Sequence, residues 1–370
     1  MQLSYWELKN WFTQVDFTIV GSGIVGLHTA LRLREKYPAA KILVLEKGIL
    51  PQGASTKNAG FACFGSISEI LDDLKTHSEE EVFQLIQKRY EGLQLLRKNL
   101  GDKTIDYKPY GGYEVFLTKN ESTFETCVHS IPKINQLVKP LFKEPVYHIQ
   151  NNPFQFKNCF DSFIVNSFEG QLDTGNMMEA LLKKAIANGI LILNNQTVSA
   201  YTEGNDSVEV VTNDLSFTTH KLLFATNGFA RELTNNEVLP ARAQVLITEP
   251  IENLNIKGTF HIDKGYTYFR NINNRILIGG GRNLDIDGET TTSLDTTELI
   301  QQHLEDVLKN VILPDTPYKI AHRWSGTMGV GLQKKTIVKQ LSNNVYCGVR
   351  MGGMGVAIGS LIGKELADLI

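Results

Sequence analysis

The chemistry-bearing residues of this chain fall into three groups. Gly21-Ser22-Gly23-Ile24-Val25-Gly26 is a G-x-G-x-x-G run. In such a run the first glycine permits a tight turn, the second lets the backbone approach a pyrophosphate, and the third lets a helix pack closely on a strand. The free N–H groups of a helix opening at Ile24 and Val25, with their partial positive charge, suit the phosphates. Glu46, with Lys47 after it, lies about 25 positions beyond Gly21, where an acidic side chain accepts hydrogen bonds from an adenosine ribose. The second group is Gly53-Ala54-Ser55-Thr56-Lys57-Asn58-Ala59-Gly60. Small residues and the hydroxyls of Ser55 and Thr56 let this segment run along the same pyrophosphate, with Lys57 and Asn58 near the edge of a flat ring. The third group consists of cations that could hold a carboxylate, for which the planar arginine fork is best suited. Arg350 is the first choice and Arg270, with Tyr268 beside it, the second. Arg323 ranks below them. His261 and His322 are the nearest base candidates by position, and each reads better as a structural hydrogen-bonding residue. Cys63 reads as a small buried residue.

These residues need elements to hold them. Residues 16–20 (DFTIV) predict a strand, the glycine run a turn, and LHTALRLREKY a helix ended by Pro38. Residues 41–45 (KILVL) predict a second strand, and strand–helix–strand with so short a connection implies a parallel pair with a right-handed crossover. Residues 66–100 predict helix, with Ser78 and Glu81 at capping-box spacing. Residues 111–118 predict strand, 175–188 helix and 190–193 strand. β-like stretches then run to 222–225, residues 241–281 are strand-rich, and 294–311 predict helix. On a strand over 265–270, Tyr266, Tyr268 and Arg270 share a face by the period of two. The chain ends as strand (NVYCGV), glycine loop from Arg350 to Gly355, and helix. Arg350 thus ends a strand, where open parallel sheets bind ligands. Gly352, Gly353, Met354 and Gly355 open the last helix with no bulky side chain near its first turn.

The composition permits this. The chain has 370 residues, enough for two cooperating lobes, with 42% hydrophobic and 21% charged residues. A net charge of −3 excludes the basic field of a general nucleic-acid binder, and no DNA partner is expected. The four cysteines are scattered, which argues against a disulfide framework or a metal cluster and suits a reducing cytoplasm. No signal peptide or membrane span is expected.

The fingerprint alone fits NAD or FAD. The Gly53–Gly60 segment favours FAD, because a nicotinamide dehydrogenase would usually reach its third strand sooner. Here the sequence resembles the D-amino-acid oxidase / glycine oxidase / sarcosine oxidase (DAO) family of FAD-dependent oxidoreductases over nearly the whole chain. IVGSGIVGLHTALRL…KILVLEKG looks like its fingerprint, and GASTKNAG like its G-A-S-x-R-N-x-G, with Lys57 in place of arginine. EGQLDTG at 169–175 resembles its E-G-x-L-x-P-G, and LLFATNG at 222–228 its V-V-x-A-T-G, which adds Ala225 and Thr226 to the cofactor-contacting residues. LPARAQVLITEP, YFRNINNRILIGGGRN and RWSGTMG also have counterparts. GGMGVAIGSLIGKELADLI resembles the flavin-contacting terminus, with Met354 for histidine and Gly359 for proline.

The resemblance implies a fold of class α/β with an α+β substrate lobe. A Rossmann-type FAD-binding domain is expected over 1–75, 165–235 and 322–370, and a discontinuous antiparallel-sheet substrate domain over 76–164 and 236–321. It implies oxidation of a C–N bond of a small amine or amino acid, by hydride transfer to flavin N5 and hydrolysis of the imine. FAD is expected to be non-covalent, because the RWSGTMG stretch lacks the cysteine that carries flavin in some members. The alternatives are cleavage of the carboxymethylaminomethyl group of a tRNA wobble uridine, and C–O oxidation of the glycerol-phosphate type. The electron acceptor, whether oxygen, a quinone or an electron carrier, stays open. Oxygen is expected to be poor, since Arg275-Ile276-Leu277-Ile278-Gly279 has aliphatic side chains where oxygen-reactive members often place a lysine.

Overall fold

A computed structural model describes residues 2–234 and 238–370. Its first sheet is built on the apolar strands Val15–Val20 and Ile42–Leu45, buried almost throughout, as expected of parallel strands covered on both faces. They pair in parallel with Val20 opposite Leu45. On the other side Val20 pairs in parallel with Phe224, at the end of strand Ser216–Phe224, and that strand pairs in parallel with Val345–Val349. Leu191–Leu193 closes one edge and Ile337–Gln340 the other. The carboxyl ends of the parallel strands therefore meet at Gly21, Glu46, Ala225 and Arg350, the crevice where such sheets take ligands.

The helix Ile24–Lys36 opens at Gly23, and its C-cap is Tyr37, just ahead of Pro38. The last helix, Gly355–Asp368, lies against it. The contact is close because two glycines are in it. A Cβ built on Gly359 would fall 2.9 Å from Ile24 Cγ2, and one on Gly363 would fall 2.5 Å from the Val25 carbonyl oxygen.

The second sheet has eight strands, in the order Ile320–Val330, Leu239–Thr248, Arg275–Gly280, Thr267–Ile272, Thr259–Ile262, Gly112–Glu114, Ser162–Asn166 and Tyr147–Asn151. Every pairing is antiparallel except Gly112–Glu114 with Thr259–Ile262. One face buries Phe260, Phe269, Ile276 and Ile278 against Ile300 and Leu304 of helix Glu298–Val307. The other gathers Val245, Leu277, Tyr268 and Trp324 against Ala59 and Phe61.

Several elements differ from expectation. The helical stretch 66–100 is two helices, Ile67–Asp73 and Glu79–Leu100, each opened by its own capping box, Ser66 with Glu69 and Ser78 with Glu81. The strand expected over 111–118 is limited to Gly112–Glu114. The helix over 294–311 begins only at Glu298 and passes into a π-turn, Leu308–Ile312. The boundary expected at 322 falls inside strand Ile320–Val330, which pairs with Leu239–Thr248 in the second sheet.

Candidate FAD and substrate site

The fingerprint turn is cut to fit. Gly21 has φ +106°, and a Cβ there would lie 2.8 Å from the Ala225 carbonyl oxygen. A Cβ on Gly26 would overlap the Gly21 carbonyl oxygen at 1.9 Å. Gly23 faces Ser55, whose hydroxyl accepts from the Ile24 N–H at 2.9 Å. A serine oxygen thus sits at the helix start, where a phosphate oxygen would be received. Val25 is buried on the same first turn. Glu46 is buried at the end of the second strand. One of its carboxylate oxygens accepts from the N–H (3.1 Å) and hydroxyl (2.7 Å) of Ser22, the other from the Gly48 N–H at 3.0 Å. In this arrangement the acid braces the turn. Lys47 is exposed, with its Nζ 5.1 Å from the centre of the Phe229 ring.

The Gly53–Gly60 segment forms one helical turn, Ala54–Lys57. Thr56 donates to the Pro51 carbonyl at 2.6 Å, and Asn58 Oδ1 accepts from the Gly60 N–H (2.8 Å) and the Thr174 hydroxyl (2.9 Å). Trp324 Nε1 donates to the Lys57 carbonyl at 2.9 Å, while the Lys57 side chain lies across Gly326. Opposite, Thr226 Oγ1 is buried without a partner among the described residues. In the last loop Gly352 has φ +58° and open space where a side chain would stand. Gly353 and Gly355 have nothing nearer than 3.8 Å there, Met328 Sδ and Met351 Cβ respectively. The Met354 side chain does not cap the helix that follows. An anion-receptive helix start, a glycine cradle with room above it and an orphaned Thr226 hydroxyl together fit a flavin dinucleotide.

The wall facing this cradle is aromatic. Phe61 packs edge-on against Tyr268 (5.4 Å between centroids) and His261 (5.3 Å). Burial pushes the Tyr268 phenol up to about 12 and holds His261 below its usual range. Arg270 shares this face of strand Thr267–Ile272 and is 2% exposed. Its Nε has no hydrogen-bond partner among the described residues, and burial lowers its pKa to about 10, opposed by Asp173 and Asp106. A Cβ on Gly60 would meet its Nη2 at 3.0 Å. Tyr266 lies just outside the strand and is exposed. Arg350 has φ +67°, and its Nε donates to the Lys335 carbonyl at 2.7 Å. The Arg323 guanidinium donates to Gln301 and Glu305 of helix Glu298–Val307, on the far side of the sheet, and His322 stacks on Trp324. Sequence reasoning missed Phe61, Met328 and the buried carboxylates Glu114 and Glu169. Of these Glu169, as the acid that opens EGQLDTG, and Met328, within RWSGTMG, carried a signal.

Among the described residues no helix is long and apolar enough to cross a membrane. The family profile described as DAO, FAD dependent oxidoreductase, matches residues 16–369. Probable oxidoreductase OrdL of Haemophilus influenzae is 24% identical over 96% of this chain and 82% of its own length. Gamma-glutamylputrescine oxidoreductase of Escherichia coli is 24% identical over 96% and 83%. Among solved structures, glycine oxidase from Bacillus cereus superposes with a TM-score of 0.77 at 15% identity, covering 96% of this chain and 94% of that one. L-Proline dehydrogenase from P. horikoshii gives 0.74 at 18%, covering 96% and 93%. The cradle and the profile agree: the chain belongs to the DAO family of FAD-dependent oxidoreductases.

Proposed function

We propose that the protein oxidises the C–N bond of a small amine or amino acid bearing a carboxylate, and that Arg270 receives that carboxylate. The observation that carries this reading is the Arg270 guanidinium, buried on the wall that faces the flavin cradle with its Nε unpaired. A buried cation is costly unless an anion meets it. Arg350 is the alternative anchor: its Nε is engaged by a backbone carbonyl, and its other nitrogens remain for a ligand at the strand end. Bound FAD supplies the hydride acceptor. The chain's own part is to present the amine in neutral form. Phe61, Tyr268, Leu277 and Met328 make a dry surface that disfavours the ammonium.

Similarity to gamma-glutamylputrescine oxidoreductase agrees with an amine substrate. The test is anaerobic bleaching of the flavin against secondary amines, amino acids, glutamylated diamines, glycerol phosphate and wobble-modified tRNA. Bleaching by amines with a carboxylate supports the reading. Bleaching only by glycerol phosphate or tRNA overturns it.

Molecular oxygen is proposed to be a poor acceptor. Leu277 and Gly279 are the residues of strand Arg275–Gly280 that share the Tyr268 face, and neither is a cation. The cation on that face is Arg270, paired with Leu277 across the strands and assigned here to the substrate carboxylate, and Lys57 lies across Gly326. Hydrogen peroxide formed at the rate of turnover, without an added acceptor, would refute this.

A further inference from the structure

His261, which packs on Phe61, also lines a small, partly open pocket with Glu114, Glu169, Asn166 and Tyr147. Two polar atoms on its lining have no partner among the described residues, His261 Nε2 and Asn166 Nδ2, on side chains 6% and 3% exposed. The two carboxylates hold one turn. Glu169 Oε1 accepts from the N–H groups of Phe64 (2.8 Å) and Gly65 (3.1 Å), and Glu114 accepts from the N–H and hydroxyl of Ser68. This turn touches the candidate flavin loop, since Cys63 Sγ is 3.8 Å from Met354 Sδ. On the outer side, His261 faces Glu69 across Gly265. A Cβ built there would lie 3.1 Å from Glu69 Oε1 and 3.5 Å from His261 Nδ1. Glu69 is half-buried, on the side of His261 that is partly open to solvent.

The remaining ionisable neighbours can be named by element. Arg89, from helix Glu79–Leu100, donates to the Phe64 carbonyl at 3.0 Å. Tyr147 donates to the Gly65 carbonyl at 2.7 Å. Tyr107 lies within the field of Glu169, and Cys127 within those of Glu114 and Lys264. Asp263 and Lys264, which pairs with Asp72, line a second pocket with Glu114, so four carboxylates share the neighbourhood with the buried Arg89 and the half-buried Lys264. Burial, opposed by the Ser68 hydrogen bonds, pushes Glu114 up to about 7. Burial, opposed by the Phe64 and Gly65 amides, pushes Glu169 up to about 8.

We propose that Glu169, Glu114 and His261 form a redox-linked proton site, which takes up a proton from solvent through Glu69 when the flavin is reduced. The balance is simple. Two electrons and one proton added to the flavin leave one net negative charge near Met354. That charge favours the neutral form of the nearest carboxyl group by like-charge repulsion. One O–H bond forms on a carboxylate oxygen, and no electron leaves the flavin. The inference rests on FAD binding and not on the substrate proposed above.

The holoenzyme is reduced electrochemically through a viologen mediator, without substrate, in lightly buffered solution containing a pH indicator. Midpoint potential is followed against pH in parallel. Between about pH 7 and pH 9 the wild type takes up more than one proton per flavin. Glu169→Gln and the double variant with Glu114→Gln return the uptake to one proton and straighten the potential–pH line. One proton per flavin across the range in the wild type overturns the proposal, and this holds even if the variants fail to fold. Excess uptake that persists in a folded double variant also overturns it. Since no substrate is present, this result and the substrate reading stand or fall separately.

Discussion

At Gly23 the chain leaves no room for a side chain: a Cβ would lie 2.7 Å from Ser55 Oγ. Gly23→Val should therefore give a folded protein that no longer retains FAD, read as loss of the flavin spectrum with far-UV circular dichroism intact. Stoichiometric flavin in that variant would remove the cofactor from this turn. At Arg270 the quantity at stake is a charged hydrogen bond, worth roughly 1.5–3 kcal/mol. Arg270→Leu should cut kcat/KM by about ten- to several-hundred-fold, at ~1.4 kcal/mol per decade. The flavin spectrum should survive, and lysine should rescue only part, because it cannot form the planar fork. Unchanged kinetics would move the anchor to Arg350, and unchanged kinetics in both variants would point to a substrate without a carboxylate. The fingerprint glycines were legible in the sequence because local backbone geometry demands them. The burial of Arg270 with an unpaired Nε was not, because an arginine on a strand reads the same whether its guanidinium lies at the surface or in the interior.

The elements that carry the site were read best where one local rule governs them. The apolar runs 16–20 and 41–45 and the helix ended before Pro38 stand nearly as expected. The split of 66–100 into two helices was missed although Ser66 and Glu69 repeat the capping-box spacing seen at Ser78 and Glu81. The continuous apolar pattern masked the break between them. The pairing of strand Ile320–Val330 could not be read, since cross-sheet register is a long-range property. Gly359 was noted only as standing where the family has proline, and its role and that of Gly363 at the helix crossing emerge only with the fingerprint helix in place. In an exposed helix, Gly→Ala gains up to about 1 kcal/mol. At 363 the sign should reverse, because a Cβ would meet Val25 O at 2.5 Å and His28 Cβ at 2.7 Å. Gly363→Leu should be worse, destabilising by about 1–3 kcal/mol. The checks are the thermal midpoint and FAD retained after dialysis. A midpoint equal to the wild type in Gly363→Leu would refute this packing.

For the whole molecule, the buried carboxylates set a pH dependence of stability. Glu169 and Glu114 have folded pKa values near 8 and 7, raised by burial above their ordinary value of 4.5. The folded state then binds more protons than the unfolded state. Their contribution is full below about pH 4.5 and is lost as pH rises through about 7 and then 8. The FAD-free protein should melt at progressively lower temperature between about pH 6 and pH 9, and Glu169→Gln should flatten that fall. A wild-type midpoint that rises over this range would contradict the burial of these groups. The order of the first sheet bears on how the protein is made. Its crevice joins Gly21 to Ala225 and to the glycine loop from Arg350 to Gly355, far apart in sequence, and the helix that covers Ile24 follows that loop. A chain still on the ribosome can present the phosphate-binding turn but not the loop or the helix that complete the berth. FAD should therefore load only after the helix Gly355–Asp368 has emerged, and a stop placed before that helix should yield a colourless product.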